Sequence, residues 1–288
     1  MRKTPVSIII PCFNEETTIG EIVEKIVCLY PEFEIIVVDD GSTDQTEQKA
    51  REAGAITIRH PYNIGNGAAV KTGIRNANGD ILVFMDADGQ HDPNDIDKLL
   101  NRFPEFDMVV GTRKGLYQAS LIRRLGNIFY NAFATYVAKF PVRDLTSGFR
   151  AVKADVMRKF LYLLPNTYSY PTTSTLCILR SGLSLKYVPV EVMRRQSGKS
   201  NIKIFRDGTR FFLIIIRICT IFSPFRVFLP VSCGTFILGL SYYAYTYFSS
   251  GRFTNMSALL FTSAVIIFMI GLVSEQISQM IYRESENK

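Results

Sequence analysis

The sequence lacks the cysteine spacing that a disulfide framework or a structural zinc site would need. Its five cysteines are odd in number, widely scattered and nowhere form a CxxC pair; they are Cys12, Cys28, Cys177, Cys219 and Cys233. This pattern predicts a catalytic part that faces the reducing cytosol. A signal-peptide core is lacking too, because the apolar run near the N-terminus stops at Pro11 and is too short.

Length, hydrophobicity and charge narrow the class of protein without deciding it. With 288 residues, of which 47% are hydrophobic, the chain has room for one globular domain and a part that lies in lipid. The 33 Lys and Arg against 26 Asp and Glu give a net charge of +7. That charge is compatible with nucleic acid, an anionic membrane surface or a phosphorylated substrate, so its distribution must decide.

The N-terminal part alternates between short strand-like runs and helical patterns. Helical patterns such as Glu15 to Leu29 separate β-branched runs that end at Pro, Asp or Gly. These runs are residues 6–10, 34–38, 55–59, 81–85 and 108–111. The predicted fold class is therefore α/β with a mainly parallel sheet, whose ligands collect at the carboxyl ends of the strands.

Polar clusters stand at those strand ends. They are Pro11–Glu15, Asp39–Ser42 and Asp86–His91, and a fourth segment, Asn63–Gly67, offers backbone N–H groups before a helix, which suit a phosphate. The fourth is not a dinucleotide fingerprint, because Val70 replaces its third glycine. Helix capping could explain each cluster alone. Four clusters at one sheet edge favour a shared nucleotide site instead.

The segment Asp86-Ala87-Asp88-Gly89-Gln90-His91 is the most informative part of the chain. Two carboxylates at positions i and i+2 after a buried strand repel each other unless a cation lies between them. Oxygen ligands favour Mg²⁺ or Mn²⁺, with substrate phosphates completing the coordination. The alternative is an acidic turn without a metal, since Asp-Gly is common in turns.

Two long apolar segments near the C-terminus predict a transmembrane hairpin. Residues 227–248 and 256–277 are each long enough to cross a bilayer, and a short link with only Arg252 as a charge joins them. The basic stretch before the hairpin places both of its ends in the cytoplasm. A buried hairpin of a soluble domain is the alternative. The predicted domains are residues 1–200 (catalytic), 201–226 (juxtamembrane amphipathic helices), 227–280 (hairpin) and 281–288 (cytoplasmic tail).

The juxtamembrane residues carry one basic face. Lys203, Arg206, Arg210 and Arg217 fall on one side of a helix whose other side is apolar. This pattern predicts an interfacial helix on anionic headgroups.

A basic region lies between the predicted nucleotide edge and the membrane part. Arg113, Arg123, Arg124 and the segments Asp144–Arg150 and Arg194–Ser200 belong to it. The guanidinium fork of arginine suits phosphate because it donates two hydrogen bonds at once. The set therefore suggests a lipid phosphate that reaches the site from the bilayer.

With these residues assembled, the chain resembles the family 2 glycosyltransferases of the GT-A fold, and among them the polyprenyl-phosphate glycosyltransferases that are similar to dolichol-phosphate mannose synthase. The resemblance covers almost the whole chain. It rests on Ser7–Glu16 as the opening strand, Val37–Asp44 as the nucleotide-binding strand end, Asp86–His91 as the DxD motif, Asp144–Arg150 as the acceptor-loop motif, and Arg195, Gly198 and Ser200 as an RxxGxS motif.

The resemblance implies roles for individual residues. Nucleotide-binding residues would be Pro11, Asn14, Glu15, Asp39, Asp40, Gly67, Asp86 and Ala87, and Asp86, Asp88 and Gln90 would hold Mg²⁺ or Mn²⁺. Residues for the acceptor phosphate would be Arg113, Arg123, Arg124, Asn127, Ser147, Arg195 and Ser200. Asp144 and Asp88 are the catalytic candidates. Asn201 departs from the pattern because a Lys commonly follows that Ser, and Asn66 stands where many relatives have Lys or Leu.

The expected reaction is an inverting transfer of a hexose from a nucleotide-diphosphate sugar, of the UDP-glucose or GDP-mannose class, to a polyprenyl phosphate. The product would be a β-linked polyprenyl-phosphate sugar, made at the cytoplasmic face of the cytoplasmic membrane by a multi-pass protein that binds no nucleic acid. A processive polysaccharide synthase is an alternative, but those proteins resemble one another in a QxxRW motif and this chain has no Trp. A non-catalytic nucleotide-binding scaffold and a nucleotidyltransferase are further alternatives. The oligomeric state stays open, although such hairpins can associate in a bilayer.

Overall fold

The structure is a computed structural model that describes residues 4–113, 131–132, 134–136, 140–167, 169–191, 213, 216, 220 and 224–286. The chain divides into two compact units, Met1–Phe211 and Phe212–Lys288, each of which is described by itself. The boundaries predicted at residues 200 and 226 stay predictions.

The first unit is built on one sheet, with seven strands in the part of the chain that the structure describes. They are β1 (Val6–Cys12), β2 (Glu34–Asp39), β3 (Ile56–Arg59), β4 (Ile81–Phe84), β5 (Met108–Arg113), β6 (Arg150–Lys153) and β7 (Leu185–Val190). Their order is β3-β2-β1-β4-β6-β5-β7. Only β6 runs antiparallel to its neighbours β4 and β5; the other described pairs are parallel.

Helices cover the sheet in the described part of the chain. They are α1 (Ile19–Leu29), α2 (Thr46–Glu52), α3 (Asn66–Asn76), α4 (Ile96–Leu100), α5 (Ala154–Lys159) and α6 (Tyr170–Arg180), with 3₁₀ turns at Pro93–Asp95 and Leu161–Leu163. Helix α1 buries Ile19, Ile22, Val23 and Ile26, the i, i+3, i+4, i+7 spacing of a helix face that packs on a sheet.

The core has one cluster on each face of the sheet, because successive side chains of a strand point to opposite faces. In β1, Ile8 and Ile10 join the cluster that contains α1, while Ile9 joins the cluster that contains α3. All three are fully buried. This explains why the strand is a continuous apolar run, as in sheets that are covered on both faces.

The second unit is the predicted helical hairpin. Helices α7 (Phe225–Ser250) and α8 (Asn255–Glu286) are joined at Gly251, whose positive φ of 61° ends α7 in the left-handed conformation. Ser232 Oγ donates to the carbonyl of Ala264 across the pair at 2.8 Å. Both helices are long and apolar enough to cross a membrane, and most side chains of their apolar windows are exposed. A soluble core would bury such side chains, so exposure favours lipid as their surroundings.

The predicted α/β class, its parallel sheet and the C-terminal hairpin are confirmed. The first helix begins later than expected, at Ile19 rather than Glu15, because Glu15 to Thr18 form a turn in which the Glu15 carbonyl accepts the N–H groups of Thr18 and Ile19. The juxtamembrane basic residues Lys203, Arg206, Arg210 and Arg217 lie outside the described residues.

Candidate active site

The paired carboxylates follow β4 at the carboxyl edge of the sheet. β4 ends at Phe84, and Asp86 and Asp88 are half-buried with the fully enclosed Ala87 between them. Thr18 Oγ1 donates to the Ala87 carbonyl at 2.7 Å, and the Gln90 N–H donates to Asp88 Oδ1 at 3.1 Å. The segment is therefore held on one side by Thr18, the residue before α1, and on the other by its own turn.

Asp86 lies directly against Gly148. A Cβ atom at Gly148 would come within 2.9 Å of Asp86 Cγ, a separation that real Cβ atoms essentially never show. In the ladder between β4 and β6, Phe84 pairs with Arg150. Asp86 lies two residues after Phe84 and Gly148 two residues before Arg150, so they stand opposite each other where the antiparallel register continues beyond the two strands.

Asp144 closes the turn that contains Gly148. Its Oδ1 accepts the N–H of Thr146 at 3.0 Å, the hydroxyl of Thr146 at 3.1 Å and the N–H of Ser147 at 3.1 Å. The buried Ser147 hydroxyl donates to the Gly111 carbonyl on β5 at 2.6 Å. We refer to residues 144–149 as the 144–149 turn. In this conformation Ser147 anchors that turn, and its predicted contact with the acceptor phosphate stays a prediction.

Arg150 lies beneath the same turn and is fully buried. Its Nε and Nη2 donate to the Ser147 carbonyl, the Nε bond measuring 3.1 Å. Its Nη1 donates to the Pro171 carbonyl at 2.8 Å, Ser174 Oγ at 2.8 Å and Thr175 Oγ1 at 3.1 Å, all in the first two turns of α6. Burial lowers the pKa of the guanidinium, while Asp144 and Asp86 are among the groups that raise it.

His91 belongs to the wall of the site. Its ring is buried and stacks on Phe149, with 4.9 Å between centroids and 14° between planes.

The ends of β1 and β2 are tied together beside this edge. Asn14, at a positive φ of 56°, accepts the N–H of Thr43 through Oδ1 at 2.9 Å, and its own N–H donates to Ser42 Oγ at 2.9 Å. Ser42 in turn donates to the buried Oδ1 of Asp39 through both its N–H and its hydroxyl. Asn14 therefore does not cap α1, the alternative that the sequence had left open.

Within the described residues, Asp39 keeps one carboxylate oxygen without a hydrogen bond. Its Oδ2 is buried and accepts none from the residues that the structure describes. The nearest described cation is Arg59, whose Nε is 3.6 Å away. A buried acceptor without a hydrogen bond destabilises the protein, and a bound ligand that donates to it would remove that cost.

Asp40, although adjacent in sequence, has protein partners. Its Oδ1 lies 2.7 Å from His60 Nδ1 and accepts the Ile64 N–H at 3.0 Å, and its Oδ2 accepts the Gly65 N–H at 2.8 Å. Asp40 thus holds the loop before α3 in place. Its predicted contact with the nucleotide stays a prediction.

The backbone at the start of α3 is covered rather than open. The Gly67 N–H donates to the Thr167 carbonyl at 3.0 Å, and the Ala68 N–H to the Asn166 carbonyl at 2.7 Å. These N–H groups were predicted to cradle a phosphate, but in the structure they hold the segment that leads into α6. Only glycine fits at Gly67, because a Cβ there would lie 2.6 Å from the Thr167 carbonyl oxygen. Phosphate binding by Gly67 is a prediction that this geometry does not support.

Glu15 and Asp44 complete the edge. The Glu15 N–H donates to Thr46 Oγ1 at 2.9 Å, while Asp44 accepts the N–H groups of Thr46 and Glu16. Burial raises the pKa of Asp44, but the hydrogen bonds from Thr46 and Glu16 outweigh it and hold the pKa below its ordinary value. Asp44 therefore acts as a partial cap for α2, as the capping alternative proposed.

Comparison with known proteins identifies the chain. Residues 7–161 match the model of glycosyl transferase family 2, and residues 223–280 match that of the GtrB C-terminal hairpin. The chain belongs to glycosyl transferase family 2. An uncharacterized protein of Methanocaldococcus jannaschii is 34% identical over 211 residues, which cover 69% of this chain and 86% of the relative.

Another relative of this family 2 glycosyltransferase is the undecaprenyl-phosphate 4-deoxy-4-formamido-L-arabinose transferase of Proteus mirabilis. It is 31% identical over 186 residues, 58% of this chain, and the match spans 57% of that relative's length. Among solved structures, glucosyl-3-phosphoglycerate synthase from Mycobacterium tuberculosis, in complex with Mn²⁺ and UDP-glucose, superposes with a TM-score of 0.59 at 23% identity, covering 75% of this chain and 78% of that one. At this identity the likeness shows the fold.

The donor set of this glycosyltransferase fits a hard divalent ion. Asp86 and Asp88 present carboxylates two residues apart at the mouth of the sheet edge, and the half-buried Gln90 adds an amide oxygen. Within the described part of the chain, no group of three His, Cys, Asp or Glu side chains surrounds a metal position. Two carboxylates and one amide fill only part of an octahedral shell, and Mg²⁺ and Mn²⁺ sites commonly complete such a shell with water and substrate oxygens.

Several predicted acceptor residues of the glycosyltransferase lie outside the described residues. They are Arg123, Arg124, Asn127, Arg195 and Ser200, together with the side chain of Arg113. Their roles stay predictions. Pro11 is described and is buried in β1, where it pairs with Val38.

The sequence did not single out four residues that organise the site. Arg150 and Gly148 belong to the Asp144–Arg150 segment but were assigned no role of their own. Thr18 and His60 lie outside every motif. A charged residue in a strand that is otherwise buried was the available signal for Arg150. Phe13 is a further candidate, since 42% of this large apolar side chain is exposed next to Asn14.

Proposed function

We propose that this family 2 glycosyltransferase transfers a hexose from a nucleoside diphosphate sugar, of the UDP-glucose or GDP-mannose class, to a polyprenyl phosphate. One observation carries the proposal: the Asp86 carboxylate and Gly148 of the predicted acceptor motif are in contact. The donor's leaving group and the acceptor would therefore meet at one point of the sheet edge. The relative named for undecaprenyl phosphate and the match to the GtrB C-terminal hairpin support a lipid acceptor.

On the donor side, the structure supports a place for the nucleotide. Asp39 Oδ2 is suited to accept an N–H of the base, because it is a buried acceptor with no hydrogen bond from the described residues. Asn14 and Glu15 fix the loop beside it, and the exposed ring of Phe13 offers a face on which a base can stack. The structural neighbour that holds Mn²⁺ and UDP-glucose has the same fold.

Charge determines what the residues after β4 must do. Negative charge builds on the diphosphate as the sugar leaves, and a divalent ion held by Asp86, Asp88 and Gln90 would neutralise that charge. Thr18 and the turn at Gln90 hold these ligands in place before the substrate arrives. Such preorganisation lowers the barrier because no reorganisation is needed at the moment of reaction.

On the acceptor side, alignment matters more than basicity. A lipid monophosphate is already anionic at neutral pH, so it needs positioning and charge screening rather than a strong base. Asp144 would orient the acceptor or take its last proton, and Arg113, Arg123, Arg124 and Arg195 would screen the charge. We propose a single displacement that inverts the anomeric centre and gives a β-linked product, at the cytoplasmic face of the membrane that the hairpin crosses.

A panel of donors tests the proposal. Purified enzyme in detergent receives undecaprenyl phosphate, Mn²⁺ and, one at a time, radiolabelled UDP- and GDP-sugars. We expect one donor to move its label into the organic phase. Label that moves into a polymer would favour the processive synthase, and no transfer with any donor would favour the non-catalytic scaffold.

A further inference from the structure

We infer that Arg150 is a positioning residue that sets the acceptor side of the reaction by holding the 144–149 turn against Asp86. The inference rests on the proposed function, because it assigns the turn to the acceptor. It assigns Arg150 no contact with either substrate.

The guanidinium of Arg150 is buried among uncharged hydrogen-bond partners. Arg150 has no exposed surface, and among the described residues its hydrogen bonds go only to carbonyl and hydroxyl oxygens. A buried cation without a carboxylate in direct contact is expensive in free energy. If the position only needed to be packed, an apolar side chain would fill it without the cost of burying a charge. We therefore assign the hydrogen-bond donors of Arg150 a role beyond packing.

The guanidinium fork joins the 144–149 turn to the start of α6. One edge of the guanidinium holds the Ser147 carbonyl, and Nη1 holds Pro171, Ser174 and Thr175 at the start of α6. The Tyr170 hydroxyl adds a bond to the Gly148 carbonyl at 3.2 Å. The 144–149 turn is thus fixed to α6 as well as to β5.

The 144–149 turn determines where Gly148 lies against the Asp86 carboxylate. Gly148 follows Ser147 immediately and packs on the Asp86 carboxylate. Asp86 itself is carried by β4, and its neighbour Ala87 is held by Thr18. Loss of the fork would therefore loosen the turn, which keeps its bonds to Gly111 and Tyr170, while the strand before the donor ligands keeps its own supports. The expected signature is a defect in acceptor use with nearly intact donor binding.

The test compares Arg150→Met and Arg150→Lys with the control Arg158→Met. Arg158 is an exposed arginine of α5 that also donates to a backbone carbonyl, that of Ala77 at 2.6 Å. For each variant we would measure the KM for undecaprenyl phosphate, kcat, the dissociation constant of UDP in the presence of Mn²⁺ by calorimetry, and the melting temperature by circular dichroism.

For Arg150→Met we expect the KM for the lipid phosphate to rise about tenfold or more, because a loosened turn no longer positions the acceptor. The UDP dissociation constant should stay within about twofold of the wild type. The KM of Arg150→Lys for the lipid phosphate should fall between those of the wild type and Arg150→Met, because an ammonium keeps the charge but not the fork. If Arg150→Met does not fold, Arg150→Lys decides the matter by the same comparison of acceptor and donor constants.

Two outcomes overturn the inference. Equal losses of donor binding and acceptor use would show a general structural role, and constants like those of Arg158→Met would show none. Both are distinct from failure of the proposed function, in which the wild type itself transfers no sugar to a polyprenyl phosphate and the inference falls with it.

Discussion

Asp86 and Gly148 are in direct contact, with no room for a Cβ atom between the glycine and the carboxylate. The contact follows from the antiparallel register in which Phe84 pairs with Arg150. It joins two segments that are about sixty residues apart in sequence, the Asp86–His91 motif and the 144–149 turn. The antiparallel strand β6 is thus what brings the predicted acceptor motif to the carboxylates that are predicted to bind the metal.

Replacing Gly148 by alanine should therefore damage the site. The added methyl group would displace Asp86 or push the turn away from it, and overpacking of this kind typically costs about 1–3 kcal/mol. We expect transfer activity to fall by about a hundredfold, because a small misplacement of a reacting group is enough for such a loss. Steady-state assays with purified variant enzyme would measure it.

The matched control for that variant is Gly20→Ala. Gly20 lies in α1, where the nearest atom to a new Cβ is 4.0 Å away. Alanine should be neutral or stabilise by about 0.5–1 kcal/mol there. Equal activity of the two alanine variants would contradict the tight contact at Asp86.

Replacing Asp88 by alanine should abolish turnover and leave the fold intact. The Gln90 N–H donates to this side chain within the turn, a bond worth about 0.5–1.5 kcal/mol, so we expect the fold to survive the substitution. Mn²⁺ titrations followed by activity should show no saturable activation in the variant, and chelation of the wild type with EDTA should reproduce the loss. Persistent activity of Asp88→Ala would rule out its role as a metal ligand.

The stability of the sheet should depend on pH through Asp107. Burial raises the pKa of this carboxyl, but Lys153 at 2.8 Å and the Ser184 N–H and hydroxyl outweigh it, so its pKa is below the ordinary value. A lowered folded-state pKa adds stability above the unfolded value of about 3.9, and the gain is lost as pH falls through the folded value.

Asp107→Asn should remove that dependence. Because the Asp107 side chain is partly exposed, loss of its charge should lower the free energy of unfolding by only about 1–2 kcal/mol at neutral pH. Thermal unfolding followed by circular dichroism between pH 3 and 7 would compare the variant with Asp155→Asn, which changes an exposed carboxylate of α5. Parallel pH profiles for the wild type and Asp107→Asn would contradict the assignment.

Gly67→Ala should reduce stability rather than nucleotide affinity alone. A Cβ at Gly67 collides with the carbonyl of Thr167, so the segment before α6 must move, at a cost of about 1–3 kcal/mol. The melting temperature and the UDP dissociation constant should be measured together. A variant of normal stability with lost UDP binding would restore the phosphate-binding role that the sequence predicted.

Much of the fold could be predicted because its signals are local. The apolar runs of β1, β2 and β4 end in Pro, Asp or Gly, and the parallel topology follows from their alternation with helices. The DxD segment and the long C-terminal apolar stretches also carry their evidence within a few residues.

Contacts between distant segments could not be predicted in the same way. The bond between Gly67 and Thr167 covers a helix N-terminus that in sequence resembles an open phosphate site. Asp39 and Asp40 are neighbours in a motif, yet one keeps a buried oxygen without a hydrogen bond from the described residues while the other holds a loop. Those differences arise from which face of the strand end each side chain occupies, and the motif does not record it.

The most direct test of the central claim is a transfer assay that varies only the acceptor. Enzyme, Mn²⁺ and the accepted labelled donor are mixed with undecaprenyl phosphate, with undecaprenol, or with no lipid, and label in the organic phase is counted. The account predicts label with undecaprenyl phosphate alone, its loss in EDTA, and a β-linkage in the product by nuclear magnetic resonance. Transfer to undecaprenol at an equal rate, or an unchanged rate in EDTA, would contradict it.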